Sequence, residues 1–288
     1  MRDTEVAGPI PPGHGLALVT GASSGLGRAT ATELARLGAS VVLLCRDEAR
    51  GRAALEAIRA ATGNERLILR IADLASQEAI RRFADGFLRD ENRLDVLVHN
   101  AAVYRMSRHE TPDRIEETLA VNHLAPFLLT HRLLPLLSAT AGARLVVVSS
   151  DAHAHATLDL SDLEGRESYD GYFAYVQSKL ANLLFTYALA RRLGPLGPTV
   201  NAAAPGVVAT EIVRDLPEEL RAKWRSMGRS PEEGARVIVR LAAAPELSGV
   251  TGRYFRSDGE AESSLLSRDD GLQEDLWRVS ARMTGLTP

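Results

Sequence analysis

The sequence predicts an α/β fold, a single domain on a doubly wound parallel sheet of about seven strands with helices on both faces. Short apolar runs alternate with longer Ala-, Leu-, Arg- and Glu-rich segments at helical spacing along almost the whole chain. A glycine-rich turn joins the first such run to the first helical segment. No internal repeat and no shift in composition divides the 288 residues, a length that one core can serve.

The first strand is "LALVT" (16–20), followed by a helix over 25–37. "VVLL" (41–44) precedes a helix over 48–61, and "LILRIA" (67–72) precedes one over 76–90. "DVLVH" (95–99) leads to a long helix over 112–138. "RLVVVS" (144–149) is followed by a helix over 171–193, and "PTVNAAA" (198–204) is the sixth strand. A seventh near "GRYF" (252–255) and a last helix around 269–284 complete the pattern. Runs apolar on every residue are what a sheet covered on both faces requires, and right-handed crossovers then make it parallel. Residues 1–14, rich in Pro and Gly, read as a flexible tail before a domain spanning 15–288. Residues 206–230 interrupt the rhythm before the next helix, a placement that suits a substrate lid.

Composition narrows the function. A net charge of −3, with basic and acidic residues interleaved, argues against nucleic acid as a partner. A single cysteine, Cys45, excludes an internal disulfide and a cysteine-built zinc site. The start has acidic residues and no apolar core, so it is not a signal peptide. The most apolar stretch, "LAPFLLTHRLLPLL", is broken by His131, Arg132 and Pro135. The expectation is a cytoplasmic protein with no membrane anchor. Among the 34 Lys and Arg only two are lysines, Lys179 and Lys223.

The first strand runs into "TGASSGLGRAT", with Gly21, Gly25 and Gly27 at the turn into the helix. Glycines there let the backbone approach a pyrophosphate, and the helix N-terminus attracts its charge, as in a Rossmann-type nucleotide unit. The second strand ends "LLCRDEAR". Arg46 just past it favours NADP(H), since an arginine accommodates a 2′-phosphate, with Arg28 or Arg50 to assist. Asp47 keeps NAD(H) open, either as a ribose ligand or simply as the next helix's N-cap. Asp73 ends the third strand, where it can meet the adenine or cap a helix. Asn100 ends the fourth, beside small residues against which the cofactor must lie.

Tyr175 and Lys179 stand four apart on a helix and share one face. A phenol of ordinary pKa ~10 becomes a useful acid–base group when a cation favours its ionised form. Alone, such a pair is as readily the edge of an amphipathic helix. Ser149 and Ser150 in "VVVSSDAHAHA" stand at the carboxyl end of the fifth strand, where α/β sites form, and either hydroxyl can hold a substrate carbonyl. Asn122 lies within a long helix and needs a polar partner.

Taken together, these residues resemble the short-chain dehydrogenase/reductase family from about residue 14 onward. The signs are T-G-x-x-x-G-x-G at 20–27, D-L at 73–74, N-A at 100–101, Asn122, the serine after strand five, Y-x-x-x-K at 175–179 and P-G at 205–206. "LLCRDEAR", "VNHLAPFLLTHRLLP" and "YVQSKLANLLF" resemble its retinol-dehydrogenase-like branch. The resemblance implies an oxidoreductase with a tetrad of Asn122, Ser150, Tyr175 and Lys179. Tyr175 would exchange the proton and Ser150 would polarise the substrate oxygen. Lys179 would lower the tyrosine pKa and bind the nicotinamide ribose. Asn122 would hold a helix kink and a relay water. It further implies cofactor contacts from Gly21, Ser23, Ser24, Gly25, Leu26 and Gly27, from Arg46, Asp73, Leu74, Asn100 and Ala101, and from Pro205, Gly206, Val208 and Thr210. Family members pair through the helices carrying Asn122 and Tyr175, which implies a homodimer or homotetramer.

Two departures stand out. The family's N-N-A-G at the fourth strand is "HNAA" here, with His99 read as a packed strand-end residue and Ala102 adding a methyl. A membrane anchor like that of animal retinol enzymes is not expected. His153 and His155 lack a companion ligand cluster, so no metal is expected and a substrate-facing loop is the reading. Trp224 and Met227 would line a lid over an apolar substrate, and Trp277 would anchor the last helix. The expected activity is NADP(H)-dependent interconversion of a carbonyl and an alcohol on a hydrophobic small molecule. The competing expectations are another biosynthetic step on the same scaffold, such as C=C reduction, dehydration, isomerisation or epoxide opening, and a non-catalytic dinucleotide sensor.

Overall fold

A computed structural model of the chain describes residues 15–287, so the tail expected over residues 1–14 lies outside the described residues. The elements in order are β1 (Leu16–Thr20), α1 (Gly25–Arg36), β2 (Ser40–Cys45), α2 (Glu48–Thr62), β3 (Leu67–Ile71), α3 (Gln77–Asp90) and β4 (Val96–His99). Next come α4 (Glu117–Leu119), a π-helical turn (Ala120–Leu124), α5 (Ala125–Ala139), β5 (Arg144–Val148), α6 (Gly171–Leu193) and β6 (Thr199–Ala203). The chain ends with α7 (Glu218–Met227), α8 (Pro231–Ala243), β7 (Arg253–Arg256), β8 (Gly259–Ala261) and α9 (Asp270–Met283).

The strands form one sheet in the order β3-β2-β1-β4-β5-β6-β7-β8. All neighbours pair in parallel except β7 and β8. The sheet therefore has eight strands rather than about seven. The extra one, "GEA", is a half-exposed antiparallel edge strand with no apolar run to announce it. The order reverses between β1 and β4, so loops leaving the carboxyl ends of these strands diverge and open a crevice.

Alternation along β1 shows how the sheet is covered. Leu16 and Leu18 face a core with Phe87 of α3, Phe127 of α5, Phe185 of α6 and Trp277 of α9. Ala17 and Val19 face the opposite core, with Leu34 of α1, Ile58 of α2 and Ile238 of α8. Each such fully buried large side chain stabilises the fold by about 2–3 kcal/mol. Trp277 anchors α9, with its ring centroid 5.0 Å from Phe127 and 3.9 Å from the Arg192 guanidinium carbon. Among the described residues, no helix is long and apolar enough to cross a membrane.

The helix expected over 112–138 begins later, at Glu117, and widens into the π turn before α5. Buried Glu116 sets that start: its carboxylate accepts hydrogen bonds from the amides of Thr118 (2.8 Å) and Leu119 (2.6 Å). Pro112 precedes this point in an irregular segment.

Two histidines are buried in neutral form. His99 ends β4 as a packed residue, its Nε2 2.7 Å from the Thr130 hydroxyl, and burial lowers its pKa to about 3. His123, with Nε2 2.8 Å from Ser280 Oγ, is lowered by burial to about 4, the Asn182 side chain opposing this. The unfolded chain binds these protons from about pH 6.5 downward and the folded one does not, so acid favours unfolding. Between about pH 6.5 and 5 the pair is expected to remove about 3 kcal/mol of stability. Urea unfolding at the two pH values checks this; equal free energies would mean that neither imidazole is held neutral.

Candidate active site

The cofactor contacts that the family resemblance implied all line the crevice at the switch point. Gly21, Ser23, Ser24, Gly25, Leu26 and Gly27 form one wall, with Arg46, Asp73 and Leu74 toward the β2–β3 side. Asn100 and Ala101 form the floor, and Pro205, Gly206, Val208 and Thr210 stand opposite. Ser150, Tyr175 and Lys179 close the other end. Ala102 also lines the crevice, so its methyl is accommodated at the wall.

The glycine turn is built to let another group come close. Gly21 and Gly25 have φ of 67° and 50°, a left-handed conformation that side chains resist. A Cβ on Gly27 would lie 2.4 Å from both Gly21 O and Asn100 Nδ2. Helices α2, α3, α6, α8 and α9 have their first-turn amides capped by Asp47, Ser76, Asp170, Ser230 and Asp269. Ser24, the residue before α1, makes no such bond, and the first turn of α1 has no acidic residue. Uncapped amides at a glycine-bounded helix start suit a phosphate, so these residues fit a dinucleotide.

Thr20 fixes the floor, a role its sequence position alone did not reveal. Its hydroxyl accepts hydrogen bonds from the amides of Asn100 (2.9 Å) and Ala101 (3.0 Å), and its carbonyl accepts one from Asn100 Nδ2 (2.9 Å). Asp47 is the N-cap of α2, accepting from Arg50 N at 2.8 Å. Asp73 accepts from Ala75 N at 3.0 Å, while Ser76 is the cap of α3, so Asp73 shapes the turn and is not the helix cap. Arg50 joins Arg46 in the crevice; Arg28 does not line it. Cys45 ends β2 just below, buried, with its thiol pushed up to about 11 by burial against the pull of the Ala22 amide, Arg50 and Ser23.

At the reacting end, α6 presents Tyr175 and Lys179 on one face. Lys179 is 2% exposed, its Nζ donating to Val148 O at 3.1 Å and lying 5.4 Å from the centroid of the Tyr175 ring. Burial lowers the ammonium to about 8 and raises the phenol to about 12, the Ser150 hydroxyl pulling the phenol down and Tyr104 pushing it up. Desolvation acts on both groups and pushes each toward its neutral form, and Lys179 is not among the groups that move the phenol. The two serines separate cleanly. Ser149 Oγ donates to Lys179 O at 2.8 Å and is occupied there. Ser150 accepts from Ala152 N at 3.2 Å and keeps its hydroxyl beside the phenol.

Asn122 does not line the crevice. It sits in the π turn, 1% exposed, with Oδ1 accepting from Val103 N (2.8 Å) and Nδ2 donating to Val103 O (2.9 Å) and Ser178 Oγ (3.0 Å). Both amide hydrogens are used, so it clamps the loop after β4 to α6, and it acts on the site by position. His153 faces inward instead of toward substrate: Nδ1 is 2.7 Å from Ser150 O, and Nε2 accepts from Ser264 N at 3.1 Å. His155 is exposed, 2.6 Å from the Tyr172 hydroxyl. Trp224 of α7 lines the crevice and donates to Val208 O at 2.9 Å, whereas Met227 is 59% exposed and points away.

The fold, the turn and the Ser–Tyr–Lys grouping can be set beside known proteins. A family model described as short chain dehydrogenase matches residues 15–221. The chain is a short-chain dehydrogenase/reductase. Within that family it lies in the retinol-dehydrogenase-like branch. It is 46% identical over 287 residues to polyprenol dehydrogenase of Mus musculus, covering 96% of this chain and 86% of that protein. It is 42% identical over 289 residues to retinol dehydrogenase 14 of Homo sapiens, covering 93% and 86%. A crystal structure of a short chain dehydrogenase from Shigella flexneri complexed with NADP superposes with a TM-score of 0.67 at 28% identity, covering 85% of this chain and 97% of that one. As a family member the chain is an oxidoreductase acting on alcohol or carbonyl groups, in a family that binds a nicotinamide dinucleotide.

Proposed function

We propose that this short-chain dehydrogenase/reductase uses NADP(H) to interconvert a carbonyl and an alcohol on a hydrophobic small molecule. One observation carries the reading: a single crevice holds Arg46 and Arg50 at the β2 end and Tyr175 with Ser150 and Lys179 at the other. The arginines offer charge to a 2′-phosphate. When bound, the reduced nicotinamide supplies the hydride. Tyr175, neutral well above physiological pH, gives its proton to the substrate oxygen. Ser150 holds that oxygen beside the phenol. Lys179, charged below about pH 8, stabilises the phenolate left after transfer. Asn122 fixes the loop after β4 against α6 and so sets where Tyr175 stands. In oxidation the same groups run in reverse.

The apolar character of Val103, Val121, Ile212 and Trp224 along the crevice supports a hydrophobic substrate, as do the names of the polyprenol and retinol relatives. Incubation with NADPH and a panel of apolar aldehydes and ketones is expected to consume NADPH and to give products two hydrogens heavier. A product of unchanged mass would replace this reading with isomerisation. Tight NADPH binding with no turnover across the panel would replace it with a dinucleotide sensor.

A further inference from the structure

The segment over the crevice carries an arginine that the reaction at Tyr175 does not use. Arg214 follows the short 3₁₀ turn Glu211–Val213 and lines the same crevice as Arg46 and Arg50. Its neighbour Arg105 is fully matched, by Glu117 at 2.6 Å and Asp215 at 2.6 Å. The carboxylate nearest Arg214 in sequence is thereby committed elsewhere. Among the described residues, Arg214, Arg46 and Arg50 form no ion pair and their side chains make no hydrogen bond. Arg214 is half-buried, and burial together with the like charges of Arg105, Arg46 and Arg50 lowers its pKa, Asp215 opposing. Arg46 and Arg50 are exposed and Arg214 half-buried, and all three border one crevice with no acid paired to them, an arrangement that suits an anion.

We propose that Arg214 is a phosphate contact supplied by the lid: with Arg46 and Arg50 it receives the 2′-phosphate of NADP(H), so that the phosphorylated dinucleotide draws segment 206–230 down over the substrate. This rests on the NADP(H) reading above and adds to it a link between the cofactor's far end and the cover of the reacting end. The segment is built to move as a unit. Ala209 N donates to Arg229 O at 3.0 Å and Arg229 N to Val207 O at 2.9 Å, tying its two ends, and Trp224 is bonded to Val208. A pull on Arg214 therefore reaches α7. It also explains a cost: without a dianion, Arg214 adds positive charge to an end already carrying Arg46 and Arg50.

The two lysines provide the readout. Lys179 is 2% exposed and Lys223 lies exposed in α7, so a lysine-specific endoproteinase cuts the folded described chain at Lys223 alone. In the unaltered protein, NADPH is expected to bind at least about tenfold tighter than NADH and to slow this cut about tenfold more than saturating NADH does. Adenosine 2′,5′-bisphosphate, which has the phosphate and no nicotinamide, should also slow it. R214Q is expected to lose about tenfold in NADPH affinity, keep NADH affinity within about twofold, and be cut equally fast with either dinucleotide. If R214Q keeps both the NADPH preference and the NADPH protection while R46Q loses the preference, Arg46 and Arg50 hold the phosphate without the lid. The NADP(H) reading then stands and the lid contact is overturned. If R214Q loses NADPH and NADH affinity equally, the side chain serves lid packing and the proposal also fails. Equal affinity of the unaltered protein for the two dinucleotides would overturn the NADP(H) reading itself, and the role of Arg214 with it.

Discussion

Tyr175→Phe is expected to lower turnover about a thousandfold while leaving dinucleotide affinity within about twofold. The change deletes one oxygen and keeps the ring, which packs at 5.6 Å from Tyr104, so α6 and the crevice wall stay in place. The serines and histidines near the reacting end are poorly suited to replace the lost proton donor. Ser150 has the wrong acidity, Ser149 is committed to Lys179 O, and His153 is turned onto Ser150 O and Ser264 N. His155 lies exposed beside Tyr172, outside the crevice lining. Rates of NADPH consumption with a responsive aldehyde, together with NADPH fluorescence titration, separate the chemical step from binding. Retention of full turnover would remove Tyr175 from the mechanism.

Lys179→Arg is expected to cost about a hundredfold in turnover, although charge is conserved. The ammonium is a compact group on the Val148 carbonyl, 2% exposed, and a planar guanidinium with five donors cannot be satisfied in that space. The pH profile gives a second signature. Burial lowers Lys179 to about 8, so the group is charged below that pH and loses its proton above it. Carbonyl reduction should therefore be level toward neutral pH and fall as pH rises through about 8, because the neutral amine no longer stabilises the phenolate. The arginine variant should lack that alkaline limb, since its guanidinium does not titrate in the range. Near-normal turnover with an unchanged limb would show that another group governs the profile.

Much of this was legible in the sequence for a simple reason. A parallel sheet covered on both faces writes apolar runs: β1, β2, β4 and β5 carry them, β3 and β6 break theirs only at Arg70 and Asn201, and β7 keeps just Tyr254 and Phe255 between two arginines. The edge strand β8 writes none, because half-exposed "GEA" buries nothing that would pattern it. Asn122 stood out as a polar residue in an apolar helix, but a π turn is one extra residue of winding and leaves no period to read. Its clamp on Val103 and Ser178 depends on two segments distant in sequence. The difference between Ser149 and Ser150 is likewise spatial: alternation at the strand end sends one hydroxyl to α6 and the other to the crevice. Arg214 was hidden among 32 arginines by chemistry, since which guanidinium lacks an acid is decided only when Asp215 chooses Arg105. The effect of Lys179 on Tyr175 was reasoned from charge alone, and the structure adds the desolvation that opposes it.

The position of Cys45 makes the glycine turn, the proposed phosphate cradle, self-reporting. It is the chain's one thiol, buried under the turn and raised to about 11, so only about one molecule in ten thousand carries a thiolate near pH 7. An alkylating reagent added to the native protein has no other sulfhydryl to consume it. Cys45 borders the crevice but is 2% exposed, so capture waits on the moments that uncover it, and the trapping rate becomes a clock for them. A dinucleotide seated on Gly21 to Gly27 holds the turn shut from above, so the same clock slows as the cradle fills.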